Sequence, residues 1–181
     1  MRRIRLCAAL ITISVTALFA PSTGAAQCTV IGTPGTCNQP GSVSMTAGRV
    51  VRLQVSAAST PLTAPTPTDF DAGFTSTTGP SIMVSANAPW TLQIRAATAV
   101  WAATNSSPGA PARTNKPAAD LTWSTAPNGT FNALSTTDVP LVGGSATASS
   151  ATTLYFQTLY AWTLDTPGNY SLSVILTLTS P

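Results

Sequence analysis

The chain contains no histidine and no glutamate, and its only acidic side chains are five aspartates. Without histidine, Ser–His and Cys–His nucleophile activation and most zinc sites are excluded. A glycosidase needs two carboxylates that face each other across a sugar. Because the five aspartates are scattered along the sequence, we do not expect such a pair. The sequence also has no phosphate-binding glycine loop and no dinucleotide motif. We therefore predict a non-enzymatic protein that uses no cofactor.

Charged residues are also scarce, and the net charge depends on which part of the chain is counted. The formal net charge is +3, but three of the eight basic residues are Arg2, Arg3 and Arg5. After these, five basic residues stand against the five aspartates, so the rest of the chain is formally neutral. A neutral protein does not attract a polyanion, and we expect no nucleic-acid partner.

Residues 1–26 have the pattern of a secretory signal peptide. Three arginines precede the apolar run Leu6–Ala20, and small residues follow, with cleavage fitting after Ala25 or Ala26. The run is about 15 residues, shorter than the ~20 that a membrane-spanning helix needs. We predict a secreted, cell-surface or periplasmic protein whose mature part has no transmembrane segment. An uncleaved anchor is the alternative, and a lipoprotein is disfavoured because Gln27 precedes Cys28.

Two cysteines, Cys28 and Cys37, follow the predicted cleavage site. Between them Pro34-Gly35 marks a turn, and an exported chain favours oxidation of such a pair to a disulfide. A redox or metal pair is the alternative, but there is no histidine and the spacing is not C-x-x-C. We predict that residues 27–48 form a disulfide hairpin and a lead-in strand before a β domain at residues 49–181.

The remaining chain alternates apolar and polar residues with period two, between clusters of Gly, Pro, Asn and Ser. The runs are Val51–Val55, Ile82–Val84, Trp90–Ile94, Leu121–Trp123, Phe131–Ala133, Val139–Val142, Leu154–Trp162 and Tyr170–Leu178. Nothing indicates a helix after residue 26. Proline-rich stretches at 59–68 and 105–119 predict loops, the second long enough to be functional. The pattern predicts an all-β fold, a single antiparallel sandwich of eight or nine strands.

The C-terminal run has the strongest apolar face. Tyr170, Leu172, Val174, Leu176 and Leu178 share one parity. Burying such side chains is worth roughly 1.5–3 kcal/mol each. We therefore expect this run to be a central strand.

Asp69 and Asp71 are the only candidate metal ligands. Two residues apart on an extended chain, their side chains would point the same way and could offer two oxygens to Ca²⁺. The favoured alternative is a plain polar turn around Phe70, because the further acidic positions of an EF-hand are missing.

The aromatic residues provide the other candidate ligand contacts. Trp90 and Trp123 share parity with apolar neighbours and are predicted to be core residues. The parity of Trp101 is ambiguous, and Tyr155 lies on the face opposite Leu154 and Phe156; an exposed aromatic face can stack on a sugar ring. A carbohydrate-binding module that uses Trp101 and Tyr155 is therefore our alternative function, with a glycan as a possible partner.

The segment Asp165-Thr-Pro-Gly-Asn-Tyr170 precedes the last alternating run. It resembles the turn into the final strands of immunoglobulin-like sandwiches. The resemblance implies that Asp165, Gly168 and Tyr170 are structural turn residues, and that the tyrosine hydroxyl bonds back to the backbone.

A second resemblance involves the signal peptide, the early cysteine pair, the Gly143-Gly144 turn and the Gly168-Asn-Tyr170 strand. Together they resemble fimbrial-subunit and spore-coat-U-like surface proteins. This resemblance implies a structural or adhesive protein whose partners are other protein subunits or a cell surface. An assembly subunit needs an exposed strand edge or groove, whereas a sugar binder needs exposed aromatic faces.

Overall fold

The computed structural model describes residues 29, 31, 36, 37, 42–105 and 111–181. The chain divides into two units, residues 1–46 and residues 47–181, and the strands lie in the second. The predicted signal peptide and Cys28 fall outside the described residues. Export, cleavage and the pairing of Cys28 with Cys37 therefore stay predictions.

The described residues form ten strands, one α-helix and one short 3₁₀ helix. The strands are β1 (Val51–Val55), β2 (Phe74–Ala86), β3 (Trp90–Ala96), β4 (Ala102–Thr104), β5 (Leu121–Ser124), β6 (Asn132–Ala133), β7 (Val139–Gly144), β8 (Thr147–Leu159), β9 (Asn169–Ser171) and β10 (Val174–Thr179). The helices are α1 (Pro67–Ala72) and the 3₁₀ turn Ala118–Asp120. The sequence predicted eight or nine strands; the additional ones are β4 and the division of the C-terminal run into β9 and β10.

The strands pair antiparallel in two main sheets, and among the strands described neither sheet closes into a barrel. One has the order β1-β2-β8-β5-β6 and the other β10-β3-β7, while β4 and β9 form a separate pair. Ile82 and Leu154 of the first sheet and Leu92 and Ile94 of the second belong to one buried apolar cluster. The all-β prediction is confirmed, and the sheets pack face to face as in a sandwich. The immunoglobulin-like topology stays a prediction.

Period-two alternation explains why β3 lies at the centre of the core. Trp90, Leu92, Ile94 and Ala96 are buried, and the residues between them are half-buried. The indole N–H of Trp90 donates to the Ser145 carbonyl at 2.9 Å, which satisfies the one polar atom of the ring. The prediction that Trp90 and Trp123 are core residues is confirmed.

The C-terminal run is not a central strand, and that prediction is wrong. Within the described part of the chain, β10 pairs only with β3 and is the edge of its sheet. Leu172 and Ser173 leave the strand, and β9 pairs with β4 instead. Apolar parity reports that one face of a strand is buried, but it does not report how many strands lie beside it.

Helix α1 lies where the sequence predicted only loop. Pro67 occupies its first turn, and the Asp69 carboxylate accepts hydrogen bonds from the Thr66 N–H at 2.7 Å and hydroxyl at 2.6 Å. Gly73, at φ +82°, ends the helix in the left-handed conformation that favours glycine. The prediction that no helix follows residue 26 is therefore wrong here, and the pattern Thr66-Pro-x-Asp69, a helix-start signal, was the local indication of this helix.

Candidate functional site

An apolar groove opens between β1 and β10, the edge strands that approach each other on one side of the two main sheets. Its volume is about 750 Å³. Among the described strands, none pairs with the outer edge of either β1 or β10. The groove therefore lies between two backbone edges whose outward N–H and C=O groups have no ladder partner.

Apolar side chains from both sheets form much of the walls of the groove, and residues 57–62 and 170–173 complete them, with the hydroxyl residues Ser59, Thr60, Ser171 and Ser173. Leu53 and Val55 come from β1, Val174 and Leu176 from β10, and Leu154 and Phe156 of β8 form the floor. No charged side chain occurs among the described residues that line it. A lining that is mostly apolar and carries no charge favours an occupant with an apolar face over a charged one.

The side chains that form these walls point toward the core and yet are only partly buried. Leu53 lies opposite Val84, and Leu176 lies opposite Ile94, and both of these partners are fully buried core residues. Side chains directly opposite each other in an antiparallel pair share one face, so Leu53 and Leu176 also face the interior. Even so, both are only half-buried, and Val55 is 40% exposed. The two sheets are therefore only partly covered along this seam, where Leu62 of the segment after β1 packs against the core.

Trp101 belongs to this groove and not to an exposed aromatic face. It is buried, and its indole N–H donates to the Pro117 carbonyl at 3.0 Å. It lines the groove from within, so the prediction that it offers an exposed stacking face is wrong. Tyr155 is half-buried in β8, opposite Thr78 and Ser124, and its parity places it away from the core. Trp101 and Tyr155 therefore do not form a joint sugar-binding surface.

A partly buried ionic cluster is formed by Arg113, Lys116, Asp120 and Asp165, and the first two belong to the stretch 105–119 that was predicted to be a loop. Lys116 is 1% exposed. Its ammonium donates to Asp120 at 3.2 Å, to Asp165 at 2.8 Å and to the Leu159 carbonyl at 2.7 Å. Arg113 donates to the same two carboxylates, at 3.2 Å and 3.0 Å. Two positive and two negative side chains thus balance, with Lys116 and Asp165 the most buried of the four.

The cluster holds Asp165 in its charged form. Burial alone would raise the pKa of this carboxyl, but hydrogen bonds from Lys116 and the Ala161 N–H, with the Lys116 charge and the Arg113 hydrogen bond, lower its pKa below the ordinary value. The three hydrogens of the Lys116 ammonium have three acceptors, so the group is engaged in structure. The i,i+4 spacing of Lys116 and Asp120 was the only local indication of this cluster in the sequence.

The turn before β9 has the arrangement that its sequence resemblance implied. The Tyr170 hydroxyl donates to the Thr166 carbonyl at 2.7 Å and accepts from the Arg113 N–H at 2.9 Å. A Cβ at Gly168 would lie 2.6 Å from the Ala112 Cβ, so this close approach requires glycine. Asp165 joins the ionic cluster, and its second oxygen accepts from the Ala161 N–H at 2.8 Å.

We expect Tyr170→Phe to lower the free energy of unfolding by about 1 kcal/mol, because the change removes both hydrogen bonds of the hydroxyl. Thermal melting measures the loss. Tyr155→Phe is the matched control, since the Tyr155 hydroxyl makes no hydrogen bond to a described residue, and we expect it to melt like the wild type. Equal melting of the wild type and the Tyr170 variant would show that the turn does not depend on the hydroxyl.

Asp69 and Asp71 do not point the same way, as an extended chain would require. They lie two residues apart on α1, about 200° around the helix axis. The Asp69 carboxylate caps the helix, and a hydrogen bond from the Thr66 hydroxyl is the largest cause that lowers its pKa. Asp71 accepts from the Trp162 indole N–H at 3.0 Å. In the described ranges no group of three or more His, Cys, Asp or Glu side chains is placed to hold a metal ion.

Trp162 is an exposed residue that the sequence placed on the buried parity of β8. The strand ends at Leu159, so the alternation stops before it reaches Trp162, which is 60% exposed. Its ring stacks on Phe70 with a centroid distance of 4.6 Å. The turn residues Asp165 to Gly168 were the only sequence signal that the strand stops early.

No protein-family model matches the chain, and no curated protein matches it. Of the helices that the structure describes, none has the length and apolarity to cross a membrane.

Proposed function

We propose that this protein is an exported, non-enzymatic structural or adhesive subunit, of the kind represented by fimbrial-subunit and spore-coat-U-like surface proteins. It acts by accepting an extended apolar segment in the groove between β1 and β10. The observation that supports this most is the partial exposure of inward-facing residues, Leu53, Val55 and Leu176, on both edge strands. The sequence supports the non-enzymatic part, because it lacks histidine and glutamate.

The occupant that fits best is residues 42–46 of a second copy. In this segment Val43 and Met45 alternate with Ser42, Ser44 and Thr46, which is the pattern of a strand with one apolar face. Val43 is 100% exposed and Met45 is 88% exposed. The same chain thus carries both a segment with the alternation of a strand, exposed at Val43 and Met45, and a mostly apolar groove.

The dimensions and the bonding of the two parts match. Five extended residues span about 17 Å, and β1 and β10 have five and six residues. A strand added beside an edge gains main-chain hydrogen bonds from the backbone, while its alternate side chains enter the groove. Burial of Val43 and Met45 adds roughly 1.5–3 kcal/mol for each side chain.

The test is the oligomeric state of mature protein, residues 27–181, measured by light scattering over a dilution series. We expect association that depends on concentration. The double variant Val43→Asp/Met45→Asp should weaken the association at least about a hundredfold, since it loses roughly 3 kcal/mol or more of burial. The matched control Ser42→Asp/Ser44→Asp adds the same charge to the opposite face of the segment and should associate like the wild type.

Two outcomes would contradict the proposal. If both double variants weaken association equally, charge and not the apolar face is responsible. If the protein is monomeric at every concentration and Val43→Asp/Met45→Asp lowers its melting temperature, the segment occupies the groove of its own chain.

A further inference from the structure

Trp162 forms a second candidate binding site, which is independent of the groove. The other three tryptophans, Trp90, Trp101 and Trp123, are buried, and the indole N–H groups of Trp90 and Trp101 bond to backbone carbonyls. Trp162 is 60% exposed, in the turn after β8. It is thus the one tryptophan of the four whose side chain is mostly exposed.

Two contacts hold this exposed indole in a fixed orientation. One face stacks on Phe70, with the ring planes 29° apart, and the indole N–H donates to the Asp71 Oδ1 at 3.0 Å. Both anchors lie on α1, which is capped by Asp69, and Phe70 packs in turn on Tyr160 at 5.4 Å. Because Phe70 covers one face and the side chain is still mostly exposed, the opposite face lies open to solvent.

We propose that the open face of Trp162 is a subsite for a pyranose ring of a glycan. The C–H groups on one side of a pyranose stack on a flat aromatic face, and its hydroxyls need hydrogen-bond acceptors at the ring edge. The Asp71 carboxylate lies at that edge. The indole N–H occupies one position on it, and a carboxylate has about four acceptor positions. A fixed stacking face with an adjacent acceptor therefore matches the C–H face and the hydroxyl groups of a pyranose.

The same carboxylate argues against other occupants. An apolar protein surface laid on Trp162 would bury the Asp71 charge, which is costly without hydrogen-bond donors. A nucleic-acid base can stack on an indole, but its phosphates would meet Asp71 in a mature chain with no excess of positive charge. Sugar hydroxyls are neutral donors and satisfy the carboxylate.

The experiment uses the intrinsic fluorescence of mature protein, with acrylamide as the quencher. Because the other tryptophans are buried, quenching reports Trp162. The probes are soluble hexasaccharides of glucose, N-acetylglucosamine and mannose. We expect at least one to protect most of the fluorescence, with a dissociation constant of about 1 mM, as suits a single subsite. By nuclear magnetic resonance, Trp162→Ala should bind that sugar about tenfold or more weakly.

Two further variants distinguish specific sugar binding at Trp162 from nonspecific apolar binding and from misfolding. Leu164→Ala removes a neighbouring exposed apolar side chain from the same turn and should bind like the wild type. Trp162→Phe retains a ring on Phe70 without the hydrogen bond, and it should bind with intermediate strength. The proposal is overturned if no hexasaccharide protects Trp162, or if Leu164→Ala weakens binding as much as Trp162→Ala. It is also overturned if Trp162→Ala changes only the oligomeric state, because a protein then covers this face.

Discussion

Replacing Lys116 by methionine should bring the protein close to unfolding, with a loss of about 3–5 kcal/mol. The substitution keeps most of the apolar stem but removes a buried positive charge. Asp120 and Asp165 then share a site with Arg113 alone, and the Leu159 carbonyl loses its donor. Since a domain has a net stability of about 5–15 kcal/mol, a loss of this size is measurable by urea unfolding.

Two controls show whether charge imbalance is the cause. Lys116→Met/Asp165→Asn removes one charge of each sign and should recover much of the lost stability, because the remaining Arg113 and Asp120 still balance. Arg95→Met breaks a more exposed ion pair with Asp138, at 3.5 Å, and should cost no more than about 1 kcal/mol. If the double variant is no more stable than Lys116→Met, lost packing is the cause and the ionic cluster is not.

The pH dependence of the same variant has a defined sign. The pKa of Asp165 is lowered in the folded protein, so its contribution to stability is complete above the unfolded value of about 3.9. That contribution is lost as the pH falls through the lowered folded pKa. Protonation of Asp165 also removes the uncompensated charge of the Lys116→Met variant. The difference in stability between variant and wild type should therefore narrow below pH ~4.

Strand positions could be predicted from the sequence wherever the alternation was strong. The runs beginning at Val51, Trp90, Leu121 and Val139 coincide with β1, β3, β5 and β7. Each of these runs is short, and turn residues flank it on both sides. Local sequence is sufficient there, because one buried face is all that the pattern has to specify.

Edges and pairings could not be predicted in this way. The groove depends on β1 and β10 belonging to different sheets and lying near each other, although more than one hundred residues separate them in the chain. The apolar face of β10 looked like that of a central strand because it does face the core. The side chains of β10 are only partly buried because, among the described strands, none pairs with its outer edge. Periodicity does not report whether such a neighbouring strand exists.

The aromatic predictions were wrong where regular structure stops. Trp162 shares the parity of Phe156, but β8 ends between them, and its ring turns to α1. Trp101 precedes a polar loop and looked exposed, yet the return of the chain at Pro117 covers it. Both assignments depended on contacts with distant segments, and alternation carries no information about these.

Deleting residues 172–181 should leave the protein unfolded or aggregated, even though β10 is an edge strand. The deletion removes one of the two neighbours of β3, the strand whose inward side chains are the most completely buried. Leu92 and Ile94 would lose their cross-strand partners Leu178 and Leu176. Each inward apolar side chain of β10 contributes part of the roughly 1.5–3 kcal/mol of full burial. The exposed edge of β3 would in addition promote aggregation.

Deletion of residues 1–46 is the control for this experiment, which asks whether β10 is an edge strand of the core or a dispensable appendage. Residues 47–181 form a unit of their own, so that deletion should preserve a sharp thermal transition by circular dichroism. A soluble monomer with an equally sharp transition after loss of residues 172–181 would contradict the first expectation. The core would then be complete without β10, and this strand would itself be a segment that can leave one copy and bind another. Because β3 would be left with β7 as its only neighbour in that sheet, we expect the two deletions to differ clearly.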